Sequence, residues 1–196
     1  MTEPGRRQTT SQTDPAKPHR PKLLGKLPDL RAQLVFWSLL LAGLLFDLWS
    51  KKAVFERLEY SHGIIVIDGL INLVPVLNNG AAFGICAGQP LFLSLASVAG
   101  IVVVFGYFYL SGLRDTLIQA ALGLVAAGIC GNLYDRLFNA GCVRDFIDVY
   151  INAFGREWHW HTFNVADVLL CVGVGLLVIR TTFTAKSAQK RAPQRK

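Results

Sequence analysis

Four apolar stretches, each close to the length of a membrane span, constrain this chain more than any other feature. They run over about residues 33–50, 90–111, 116–134 and 165–182. The first carries no charge until Asp47, the second and third carry none, and the fourth holds only Asp167 at its start and Arg180 near its end. A helix needs about 20 apolar residues to cross a bilayer, and each stretch approaches that length. A lone strand would leave its backbone donors and acceptors unpaired in lipid, so helix is the form they can take. The pattern predicts an all-α polytopic membrane protein with four transmembrane helices. A length of 196 residues, 52% of them hydrophobic, agrees with one membrane domain.

The net charge of +7 takes its meaning from its location. Arg6, Arg7, Lys17, Arg20, Lys22, Lys26 and Arg31 precede the first stretch, and Arg180, Lys186, Lys190, Arg191, Arg195 and Lys196 close the last. Nucleic-acid binding calls for a basic face on a folded module. Basic tails flanking apolar spans instead report topology, and no nucleic-acid partner is expected. Both tails and the Gly112–Asp115 connection are therefore assigned to the cytoplasm. The loops at 51–89 and 135–164 then lie outside, where Lys51, Lys52, Arg136, Arg144 and Arg156 weaken the bias without reversing it. Residues 1–30, rich in Thr, Pro, Gln and Lys, read as a disordered cytoplasmic tail with no signal-peptide pattern. Residues 31–184 form the transmembrane unit and 185–196 a basic cytoplasmic tail.

The outer loops carry their own signals. Residues 63–77 are rich in β-branched side chains and broken by Asp68-Gly69, which predicts two or three short strands at the membrane surface. Trp158-His159-Trp160-His161 reads as an interfacial anchor, since tryptophan favours the headgroup level. Its histidines lack companions for a zinc site. Cys86, Cys130, Cys142 and Cys171 form no CxxC pair, so neither a disulfide nor a metal is inferred. Cys130 and Cys171 fall in apolar stretches and read as buried thiols.

Polar residues gather at the outer ends of the spans. Asp47 and Lys51 are spaced i, i+4, which suits a salt bridge at the interface or, alternatively, a direct part in handling a substrate. Asn78-Asn79-Gly80-Ala81-Ala82-Phe83-Gly84 is either a turn or a close-approach site with amide donors and acceptors. In Gly131-Asn132-Leu133-Tyr134-Asp135-Arg136, adjacent Asp135 and Arg136 cannot face each other, so each needs another partner. For Arg136 that is a lipid phosphate, a peptide carbonyl or a packing contact. Asp145, in Val143-Arg144-Asp145-Phe146, and Asp167, in Phe163-Asn164-Val165-Ala166-Asp167, flank the outer edge of the fourth span. Ionisable groups beside hydrocarbon are costly and usually have a task. Two that converge would share a proton, which is the chemistry of an aspartic peptidase. Taken alone, each is also readable as a solvated interface residue.

The order of these five motifs across four spans closely resembles the bacterial lipoprotein signal peptidases (signal peptidase II) from about residue 34 to 182. The resemblance implies a four-span aspartic peptidase of the bacterial inner membrane. Its catalytic aspartates match Asp145 and Asp167. Its substrate-binding or supporting residues match Asn78, Gly80, Asn132, Asp135, Arg136, Asn164, Asp47 and Lys51. It further implies a small extracytoplasmic β-cradle, diacylated prolipoprotein substrates cut before the lipidated cysteine, contact with membrane lipids, globomycin-type inhibitors, and no cofactor or metal. Asn79 stands where many members carry Thr. Two other classes fit less well: a small proton- or ion-coupled transporter would want acids nearer mid-span and an internal repeat, and a scaffold acting through its basic tails leaves the ordered motifs unexplained.

Overall fold

The computed structural model describes residues 28–58, 63–81, 84–111 and 115–191, the last seven by backbone alone. The expected N-terminal tail, as far as residue 27, and residues 112–114 of the connection between the second and third spans lie outside these residues, as do Ala82 and Phe83 of the Asn-Gly motif. Four helices long and apolar enough to cross a membrane are present. They are α1 (Leu30–Arg57), α2 (Pro90–Leu110), α3 (Thr116–Phe138) and α4 (Val165–Arg191).

Three helices outrun their apolar stretches, for local reasons. α1 starts at an N-cap, Asp29, whose carboxylate accepts from the Ala32 N–H at 2.8 Å. It continues past residue 50 because Lys51 is neutralised inside the protein and Lys52 lies 3.7 Å from Glu56 one turn on. α3 begins at Asp115, which caps the Leu117 and Ile118 N–H groups with one carboxylate oxygen and receives Arg180 Nε on the other at 2.6 Å. One aspartate thus starts α3 and clasps it to α4. The helical backbone of α4 runs to Arg191, past the expected end at 182, through residues that favour helix.

α3 is the central helix. More than half of its span is buried, against less than a quarter of each other span. Its face is built from small residues, and these set how near its neighbours come. A Cβ at Gly123 would lie 2.7 Å from the Phe36 carbonyl of α1, and one at Gly128 would overlap the Ala166 carbonyl of α4. Toward the end of the bundle where α1 and α3 begin, Phe36, Leu40, Val104, Phe108, Leu122 and Val125 form the apolar core, with Phe36 and Phe108 stacked 4.1 Å apart.

A four-stranded antiparallel sheet, ordered β1-β2-β3-β4, covers the other end. Its strands are β1 (Ile64–Ile67), β2 (Ile71–Asn78), β3 (Val143–Ala153) and β4 (Arg156–His159). The first two meet the expectation for residues 63–77, and Gly69 makes their turn at φ 72°. The other two come from the second loop, for which no strands were expected. Their hairpin signal was Phe154-Gly155, a two-residue turn with φ 56° and 74° between the paired Ala153 and Arg156. The β2–β3 register slips between Leu73 and Val76, around buried Pro75, which has no N–H to give to a ladder. Beyond that bulge Val76 faces Asp145, and Asn78 faces Val143.

Candidate active site

Local rules place the two key carboxylates. Asp145 projects from near the start of β3 and is buried. Asn78, opposite Val143, is its diagonal neighbour on the same sheet face, and Asn78 Nδ2 donates to Asp145 Oδ2 at 2.9 Å. Asp167 lies in the first turn of α4, held by a reciprocal capping box. The Asn164 N–H donates to Asp167 Oδ2 and the Asp167 N–H to Asn164 Oδ1, both at 3.1 Å. A helix N-terminus also favours a negative charge there.

Asn164 joins the two acids. Its Nδ2 donates to Asp145 Oδ1 at 2.6 Å while its backbone N–H holds Asp167. The same Nδ2 reaches Asn132 Oδ1 at 3.1 Å, and Asn132 Nδ2 donates to Asp167 Oδ1 at 2.8 Å. Each carboxylate therefore accepts two hydrogen bonds and lies one amide away from the other. Burial pushes the Asp145 carboxyl up to about 6; the Asp167 charge adds to the rise, against the amides of Asn78 and Asn164 and the more distant Lys51 charge.

Both acids open onto a cavity of about 750 Å³. Asn78, Gly80, Asn132 and Arg136 supply its polar side; Leu93 and Ile129 of α2 and α3 and Val168 and Val172 of α4 supply apolar wall. Arg136 Nη2 donates to the Gly80 carbonyl at 3.0 Å, and the Gly80 N–H donates to Asn78 Oδ1 at 2.9 Å. Arg136 thus meets a backbone carbonyl of its own chain, at the rim of the cavity. Such an arrangement can hold an extended, largely apolar ligand with a peptide group beside two carboxylates.

The remaining expected residues lie beneath the cavity. Lys51 lies 2.8 Å from Asp47 and 3.3 Å from Asp135, with all three side chains fully buried. The Asp47–Lys51 pair thus forms, but inside the bundle, and a fully buried Lys51 cannot handle a substrate directly. Asp135 also binds Arg144, through the Arg144 backbone N–H at 2.9 Å and through Nη2 at 2.6 Å.

Arg144 was seen in the sequence only as an outer-side charge; its place before Asp145 was the available clue. Trp160 and His161 line the cavity as well as lying at the surface. Asp148 points to the opposite face of β3, being an odd number of residues from Asp145. There it meets Asn72 and His159 Nδ1, the latter at 2.9 Å. Cys171 is exposed rather than buried, since its face of α4 borders the cavity, and Cys130 is half-buried.

Comparison with known proteins agrees over nearly the whole described region. A family model described as Signal peptidase (SPase) II matches residues 39–183. The lipoprotein signal peptidase of Halalkalibacterium halodurans is 35% identical over 80% of this chain and 97% of its own length. That of Sulfurihydrogenibium sp. is 38% identical over 74% of this chain and 89% of its own. Two solved bacterial membrane enzymes share the fold. One has a TM-score of 0.71 at 26% identity, covering 88% of this chain and 99% of the other; the second has 0.66 at 28%, covering 81% and 97%. With a family match across most of its length and relatives aligned along nearly all of theirs, this chain belongs to the signal peptidase II family, the bacterial lipoprotein signal peptidases.

Proposed function

We propose that this multi-pass membrane peptidase removes signal peptides from diacylglyceryl-modified prolipoproteins by aspartic catalysis, cutting before the lipidated cysteine at the outer face of the bacterial inner membrane. The observation that carries the reading is two carboxylates joined through one asparagine on a largely apolar cavity. A signal peptide's apolar segment lies in the bilayer, which puts its scissile bond at the depth where the helices meet the sheet. The apolar wall suits acyl chains and small side chains; Asn78, Asn132 and Arg136 suit the peptide backbone. Globomycin-type cyclic peptides would occupy the same space.

Two close carboxylates cannot both ionise cheaply, so the pair holds one proton. Asp145, in the drier place, keeps it; Asp167, at a helix N-terminus, carries the charge. Asp167 draws a proton from water as the water attacks the scissile carbonyl. Asp145 donates to the carbonyl oxygen, and the pair then protonates the departing amine. Asn132 and Asn164 hold both carboxylates throughout. The transporter alternative has no finding in its favour: the acids cluster at one end of the bundle.

The test is cleavage of a diacylated prolipoprotein by purified protein, read by mass. Asp145→Asn and Asp167→Asn are each expected to abolish cleavage while still inserting, and Asp148→Asn to retain it. Near wild-type cleavage by either of the first two would sink the aspartic assignment, and an inactive Asp148→Asn would move the first acid along β3.

A further inference from the structure

The buried ammonium of Lys51 has three N–H donors and three polar neighbours. They are Asp47 Oδ2 at 2.8 Å, Asn132 Oδ1 at 3.1 Å and Asp135 Oδ2 at 3.3 Å. Each neighbour leads to an active-site aspartate. Asn132 turns its carbonyl to Lys51 and so must turn its Nδ2 to Asp167 Oδ1, at 2.8 Å. Asp47 Oδ1 accepts the Ala166 N–H, one residue before Asp167, at 2.8 Å. Asp135 grips the backbone N–H and side chain of Arg144, one residue before Asp145. Asp145 and Asp167 stand on different elements, a strand and a helix, and Lys51 on a third.

We infer that Lys51 is a positioning residue that sets the separation and orientation of the two aspartates through Asn132, Asp47 and Asp135, without touching the substrate. The inference rests on the dyad reading of Asp145 and Asp167. It explains why a lysine stands fully buried at this depth, where a lone charge is costly. Two acids, Asp47 and Asp135, balance two bases, Lys51 and Arg144, and every side chain among them contacts another member. Without Lys51 the Asn132 carbonyl keeps a single donor, Asn164 Nδ2, which is already shared with Asp145 Oδ1, so the amide can swing away from Asp167. That removes one of the two hydrogen bonds on the base and loosens the α3–α4 junction beside it.

Lys51→Met alone leaves an extra buried carboxylate and is apt to misfold, so the informative variant is the charge-balanced Lys51→Met/Asp47→Asn. It is assayed in proteoliposomes on a diacylated prolipoprotein beside Asp145→Asn. The expected result is normal insertion, KM within about threefold of wild type and kcat lower by about 100-fold, the cost of a roughly 1 Å misplacement of catalytic groups. Wild-type kcat in the double variant would overturn the inference. So would a rise in KM that accounts for the whole loss, since Lys51 would then serve binding, or a failure to insert, since it would then serve folding. If Asp145→Asn cleaves normally, the dyad reading itself has failed and the inference falls with it.

Discussion

At the scale of single residues, an asparagine does as much here as either acid. Asn164 caps α4, bonds both carboxylates and meets the second asparagine, Asn132. Asn164→Ala is expected to lower kcat by about 100-fold through lost geometry. It should also cost about 1 kcal/mol in stability through the lost cap. A variant with wild-type kcat in a steady-state assay would show that the bridge is dispensable. The second expectation is a pH profile. Burial raises Asp145 to about 6, so under the proposed mechanism the free enzyme holds the shared proton up to that pH and loses it above. The alkaline limb of kcat/KM, which reports the free enzyme, should set in above about pH 6. Bound substrate excludes further water, which raises a buried carboxyl, so the limb of kcat should lie at higher pH. Coincident limbs would count against Asp145 as the proton holder.

At the scale of elements, close approach and clasps decide function. A Cβ on Gly131 of α3 would overlap Asp47 Oδ2 and lie 3.2 Å from Ala166 Cβ. Gly131→Ala should therefore push α1 and α4 off α3, costing about 1–3 kcal/mol by overpacking. It should also slow cleavage, because the displaced groups are those that hold Asp167; thermal unfolding in detergent and kcat together check this. The β3–β4 hairpin carries a different device. His159 meets Asp148 and Glu157 and stacks on Tyr150 at 5.3 Å. The Asp148 hydrogen bond is the main cause raising the imidazole above its ordinary value, with burial opposing and Glu157 adding. For a base raised on folding, the added stability is complete at pH below the unfolded value, about 6.5, and disappears as pH rises through the folded one. Protection of hairpin amides against hydrogen exchange should fall across that window, and Asp148→Asn should abolish the pH dependence. An unchanged dependence in that variant would exclude the pair as its source.

At the scale of the whole molecule, the sheet, the cavity and the polar network all lie at one end of the helices, while the Asp115–Arg180 clasp and the aromatic core lie toward the other. Basic tails on the clasp side would put both termini in the cytoplasm and the site outside. A reporter active only outside the cytoplasm, fused after Lys196, should therefore be silent; activity there would reverse the orientation. Burial is concentrated on α3, so the outer helices expose apolar side chains such as Leu41, Leu45, Val102 and Val103 to lipid.

The sequence alone determined that four helices cross a membrane, because the bilayer reads only length and apolarity. The order of the five motifs was enough for the family, and it singled out each residue of the Asn132–Asn164–Asp145–Asp167 group. The cap of α4 went unread, although Asn164 and Asp167 stand three apart before an apolar run. The second hairpin went unread: the Phe154-Gly155 turn is short, and a strand's partner need not be near it in sequence. Only the tertiary structure decided where Lys51 lies and what it meets, since its partners Asn132 and Asp135 lie about eighty residues away on another helix. A charge at a span edge reads as a surface residue until packing removes it from water and surrounds it with polar neighbours. Which acid is the drier was decided in the same way, by where a strand and a helix end come together.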